Sequence, residues 1–257
     1  MQRSGLYPRY YEHMSLLVLA AILGTGTALG VQLFRASIEV IHSFLTDVLG
    51  SEGIIGGLLD SVGIRPEFAL LLTLALAGFL VGMIMHYIVG EEKYHGVASV
   101  MVSVAIAGGR LSYRLVPFKA LAAALSLGAG ASVGPEDPSV QIGANLGAWL
   151  GSLFNWSDDR RKLLVAAGSA SAIGSAFNAP IAGVFFALEV VLGEFTTTSF
   201  GAIVLSSVLS SVVTRGIVGK NPVFGNLEYV LGNPAQLAFY ALLGIILAFV
   251  SMFTIRF

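Results

Sequence analysis

Two adjacent carboxylates bracketed by prolines, in Gly134-Pro135-Glu136-Asp137-Pro138, form the run of this 257-residue chain best suited to chemistry. Prolines flanking two carboxylates cannot continue a helix, so the run breaks one and opens the next. A helix start presents unpaired backbone N–H groups and about half a positive charge, and therefore attracts anions. A carboxylate held there resembles such an anion and competes with it. His95-Gly96-Val97 and Asn178-Ala179-Pro180 open helices in the same manner. An anion crossing a bilayer must exchange its hydration shell for partial positive charges that hold it without trapping it. Short helices that start inside the membrane supply them.

Other chemistries find less support. Ser132, Ser169 and Ser171 have no histidine or second polar partner near them in sequence, so an intramembrane hydrolase is a distant alternative and no catalytic residue is assigned. Gly128, Gly130, Gly143, Gly147, Gly168 and Gly174 lack the Gly-x-x-x-x-Gly-Lys-Ser/Thr pattern of a phosphate-binding loop and suit close helix packing in lipid. The chain has no cysteine, and His13, His42, His86 and His95 show no metal-ligand spacing, so neither metal nor cofactor is expected. A net charge of −1 gives no basic excess to suggest a nucleic-acid partner, while Arg160, Arg161 and Lys162 suit a lipid headgroup layer.

The elements that must position these residues belong to a membrane. The chain is 56% hydrophobic and 11% charged, with a mean hydropathy of +0.84. Its 14 basic and 15 acidic residues are too few to cover a soluble core of this size. The expectation is an integral, multi-pass, all-α protein with tilted and broken helices. A polar segment at 1–13 is cytoplasmic or interfacial, with no removable signal peptide, and a membrane domain fills 14–257. Met14 to Val48 is too long to cross straight and predicts a strongly tilted helix. A polar loop follows from Gly50 to Glu67, then a clean span from Phe68 to Val89. Beyond it come short apolar runs at 97–107, 120–133, 139–154, 163–177, 180–192 and 200–213. Several broken helices in one chain point to a solute pathway, because non-helical backbone at membrane depth must be buried by protein or reached by water. The last run, from Ala235, reaches Arg256-Phe257 without a polar cap, which suggests a helix cut short or one part of a split protein.

Two stretches carry a resemblance. Gly134-Pro135-Glu136-Asp137-Pro138-Ser139-Val140-Gln141-Ile142-Gly143-Ala144-Asn145-Leu146-Gly147 resembles the signature G-x-E-G-P followed by (T/S)-V-Q-I-G-x-N-L-G of the CLC chloride channels and chloride/proton exchangers, departing at Asp137, where that family usually has glycine. Ala176-Phe177-Asn178-Ala179-Pro180-Ile181-Ala182-Gly183-Val184-Phe185-Phe186-Ala187-Leu188-Glu189 is similar to the family's A-F-N-A-P-(L/I)-A-G-x-x-F-x-x-E.

The resemblance implies a CLC-type half of an inverted repeat, the N-terminal one, with chloride as transported ligand and a homodimer whose interface includes part of 196–215. A second half would supply further helix N-termini and a tyrosine at the central anion. Glu136 takes the position of the gate. The bland reading is a helix cap in an interfacial loop. Tyr94-His95-Gly96-Val97-Ala98 stands where the family has G-S-G-I-P, which would set His95 in place of a serine facing the anion; the alternative is a satisfied or surface histidine. Asp137 is expected to point to water or to a basic partner. Gly134, Pro135, Asp137 and Pro138 complete the expected anion-binding set with His95, Gly96 and Val97. Val190 occupies the place of the exchangers' proton-conducting glutamate, which favours a channel of the voltage-gated chloride type over an antiporter without excluding the latter. A coupled transporter of another family would also use broken helices, but would not be expected to show both signatures.

Overall fold

The computed structural model describes residues 6–50, 53–63, 65, 68–90, 95–195, 197–219 and 232–256, with only the backbone of 6–13 and 197–199. In chain order the helices are α1 (Leu6–Leu49), α2 (Ile54–Ser61), α3 (Phe68–Met83), α4 (Gly96–Ile106), α5 (Val116–Gly128), α6 (Glu136–Leu153), α7 (Asp158–Phe177), α8 (Pro180–Phe186), α9 (Thr197–Val218) and α10 (Gln236–Arg256). A π-helical turn at Ile84–Val89 prolongs α3, another at Ala187–Leu192 prolongs α8, and a 3₁₀ turn at Tyr113–Leu115 leads into α5. No strand occurs among the described residues. The chain divides into two units, Met1–Val223 with α1–α9 and Phe224–Phe257 with α10.

Four stretches among the described residues are long and apolar enough to cross a membrane: Met14–Ser61, Phe68–Val89, Phe200–Val218 and Gln236–Arg256. At about 1.5 Å rise per residue, the 44 residues of α1 reach about 66 Å, roughly twice the hydrocarbon thickness. The helix begins at Leu6, so the polar segment and the first long apolar run are one element. On α3, Phe68, Leu70, Leu71, Leu72, Phe79 and Leu80 are all exposed. A helix that presents leucine and phenylalanine around so much of its surface suits lipid rather than water.

The expected loop from Gly50 to Glu67 contains α2 instead. Ile54, Leu58 and Leu59 recur at helical spacing, and the glycines and acids among them mask this pattern in the sequence.

At the centre lies α7, where every residue from Leu164 to Ala176 is buried. Its alanines, glycines and serines let neighbouring backbones come close, which is how helices pack where lipid removes the hydrophobic driving force. A methyl group at Gly168 would meet the Gly143 carbonyl of α6, and one at Gly143 would meet the Gly168 carbonyl in return. A methyl at Gly147 would meet the Leu164 carbonyl, and one at Gly183 of α8 the Ala170 carbonyl.

On its other side α7 is laced to α9 by hydroxyls. Ser171 Oγ lies 2.6 Å from Ser206 Oγ, and Ser175 Oγ lies 2.7 Å from Thr214 Oγ1. Ser210 donates to the Ser171 carbonyl at 2.6 Å, and Ser211 to that of Gly174 at 2.9 Å. The Gln32 amide of α1 donates to Ser175 at 3.2 Å.

Candidate functional site

The α6 helix begins at Glu136 with Pro135 in the capping position, so Pro138 falls in the first turn. That is where a missing N–H costs nothing, because the first four amides of a helix have no intrahelical partner. The Pro135 carbonyl accepts from both the Ser139 amide at 3.2 Å and the Ser139 hydroxyl at 2.7 Å, pinning the turn. α4 begins at Gly96, which adopts the left-handed region at φ +65°. His95 before it is extended and caps nothing with its own side chain.

These two helix starts meet through Asp137. Its carboxylate accepts the backbone N–H of Val97 at 2.6 Å, and it fills the space where a Cβ on Gly96 would lie. Glu136 goes the other way, its carboxylate folding back over Gly134 onto the site of that residue's missing Cβ. Both acids are exposed. Consecutive helical residues point about a quarter-turn apart, which lets adjacent like charges separate. Asp137, though exposed, is thus held by the amide that opens α4.

A cavity of about 280 Å³ adjoins this junction, lined by His95, Gly96, Asp137, Pro138, Gln141 and Lys119 among others. Gln141, one turn into α6, is buried and donates to Ser99 of α4 at 3.4 Å. Val97 packs against Val31, Val140, Ala172, Ile173 and Ala176, so the α4 start is seated on the core of the bundle. Of the expected set, His95, Gly96, Val97, Gly134, Pro135, Glu136, Asp137 and Pro138 thus lie around the junction of the α4 and α6 starts. Tyr94 lies outside the described residues.

The third helix start is tied elsewhere. Asn178 closes α7 in the left-handed conformation, and its side-chain oxygen accepts from Arg215 Nε of α9 at 2.7 Å. The Pro180 carbonyl takes the Ser207 hydroxyl at 3.0 Å. Val190 is half-buried in the π-helical turn after α8. Ser169 and Ser171, weighed above as nucleophiles, are buried and donate to the carbonyls of Val165 at 2.9 Å and Ala167 at 2.8 Å. These are bonds to the helix's own backbone one turn back; a nucleophilic serine needs a base within reach.

Lys119 and Gln141 are among the cavity residues to which sequence reasoning assigned no role. The signal for Lys119 was present: a cation in the otherwise apolar α5 is costly in a membrane and so marks function.

The family model described as voltage gated chloride channel matches residues 77–257. The chain is 33% identical to chloride channel protein CLC-e of Arabidopsis thaliana, over 91% of this chain and 33% of that protein. It is 29% identical to the H(+)/Cl(−) exchange transporter ClcA of Vibrio parahaemolyticus, over 90% of this chain and 48% of that one. In three dimensions it is similar to a slow cyanobacterial Cl−/H+ antiporter, with a TM-score of 0.69 at 23% identity, over 90% of this chain and 53% of that chain. The chain thus spans from a third to about half the length of these relatives. Its helical membrane architecture is that of the cyanobacterial antiporter, and the matched region contains both helix starts at the Asp137 junction together with the whole of α7 and α8. By sequence match and by fold, the chain belongs to the CLC family of voltage-gated chloride channels and transporters.

Proposed function

We propose that this chain forms part of a transmembrane pathway for chloride or a similar small anion, with Glu136 as its gate. The observation that carries this reading is the junction itself. Two helix N-termini, each with unpaired amides and partial positive charge, meet beside a cavity of about 280 Å³, and an anionic group already sits on one of them. Glu136 is the first residue of α6, it is exposed, and its carboxylate rests against a glycine. Withdrawn, it frees the α6 amides for an anion; seated there, it competes with one.

The pathway is of the channel type. Val190 places a hydrocarbon where a proton-carrying carboxylate would be needed, and the relative from Arabidopsis is named a chloride channel. The alternative is a chloride/proton antiporter, favoured by the names of the Vibrio relative and of the cyanobacterial structure. Water reaching Glu136 would then carry the proton without Val190. The remaining amides of the pathway come from a C-terminal half, and the assembly is a homodimer with part of 196–215 in the interface, of which Thr196 lies outside the described residues.

The test is flux from liposomes containing the complete protein, with a chloride gradient imposed and voltage clamped by a potassium ionophore. Chloride flux without proton movement is the expected result. Uphill proton flux would establish the antiporter instead, and absence of anion flux would overturn the pathway. Glu136→Ala should leave an anion flux with weaker pH dependence, whereas an unchanged pH profile removes Glu136 from the gate.

A further inference from the structure

The Asp137 carboxylate does something the gate reading leaves unexplained. It reaches from the first turn of α6 to the first turn of α4 and takes the Val97 N–H at 2.6 Å. Anionic acceptors on backbone donors make short, strong bonds of this kind. The room for it exists because residue 96 is a glycine: a Cβ there would collide with both carboxylate oxygens, and the φ of +65° would disfavour any other residue. The carboxylate also borders the cavity, beside Pro138 and Gln141. Glu136, its neighbour in sequence, is turned back onto Gly134 and does not share this position.

From this geometry we propose that Asp137 is a tethered competitor for the transported anion, occupying the amide of α4 that a passing anion must use and so lowering the affinity of the pathway. The inference rests on the anion-pathway reading above and assigns a second carboxylate to it. Glu136 governs whether the α6 start is open, and Asp137 sets how tightly the α4 start holds what enters. An anion arriving at Val97 must displace the carboxylate. One that leaves is helped by its return. Such a device shortens residence, which conduction requires of any site that binds at all.

The test compares the complete wild-type protein with Asp137→Gly and Asp137→Asn, reading half-saturating chloride for flux in liposomes and chloride binding by calorimetry in detergent. Asp137→Asn keeps an oxygen for the Val97 amide but removes the charge, so it guards against loss of fold in the glycine variant. Removing a charge from a helix N-terminus should tighten chloride about two- to fivefold in both readouts. Added chloride should then raise the melting temperature of the variants more than that of the wild type. If half-saturation and binding are unchanged while melting temperature falls, Asp137 is only a helix cap and the proposal is overturned. Wild-type protein that passes no anion would overturn the pathway reading and this inference with it. Wild-type flux with unaltered variants would overturn this inference alone.

Discussion

Replacing Gly168 by alanine is the most direct test of how the bundle holds the site. An ideal Cβ on Gly168 falls on the carbonyl oxygen of Gly143, with the carbonyl carbon and the next amide also close. Non-bonded heavy atoms settle at about 3.5–4 Å, so α6 and α7 must part by about 1 Å or more. Both partners are backbone, and no rotamer can relieve the contact. Overpacking a filled interior costs typically about 1–3 kcal/mol, and a clash without a side-chain escape belongs at the upper end. At about 2–4 °C per kcal/mol for a chain of this size, the melting temperature should fall by roughly 6–12 °C.

Gly78→Ala on α3 is the control, since no atom lies within 4 Å of a Cβ there; its effect should stay within about 0.5 kcal/mol. The assay is tryptophan-fluorescence melting of the complete protein in detergent. The double variant Gly143→Ala/Gly168→Ala should cost less than the sum of the singles, because helices already parted for one methyl accept the second. A Gly168→Ala melt indistinguishable from wild type, or strict additivity in the double variant, would refute the backbone contact.

If Glu136 gates as proposed above, Gly134→Ala should act on it rather than on the fold. The three atoms nearest the added methyl all belong to the Glu136 carboxylate, the far end of a flexible side chain, so anion flux should rise with a melting temperature within about 2 °C of wild type. For the hydroxyl lacing, a double-mutant cycle on Ser171→Ala and Ser206→Ala, whose oxygens lie 2.6 Å apart, should return a coupling of about 0.6 kcal/mol, the usual size between membrane helices. Urea or thermal denaturation of the four proteins measures it.

Much of the architecture was legible because glycine and proline punctuate it. Phe68–Val89 emerged as α3 with its π-helical turn, and the breaks at Gly96 and Pro180 are true helix starts. The α2 helix was missed because Gly53, Gly56, Gly57 and Gly63 surround its few apolar residues and read as loop. The central place of α7 was hidden for a different reason. Its alanines, serines and glycines are only weakly hydrophobic, yet in lipid small size rather than hydropathy selects the helix that others pack around.

At the site, residue types identified which groups matter but not where their side chains end. Glu136 and Asp137 are neighbours in sequence, and repulsion between them was the obvious concern. The folded chain removes it by sending one carboxylate back onto Gly134 and the other to Val97, forty positions upstream. The partner that decides Asp137's orientation is a backbone amide, which every non-proline residue carries and which no pattern of residue types can mark. What makes that amide distinctive is its place at the exposed start of α4, with a glycine before it to leave room. An aspartate where the CLC signature usually has glycine therefore acts first on α4 rather than on Glu136 beside it. The two helix starts are thereby joined through a single carboxylate.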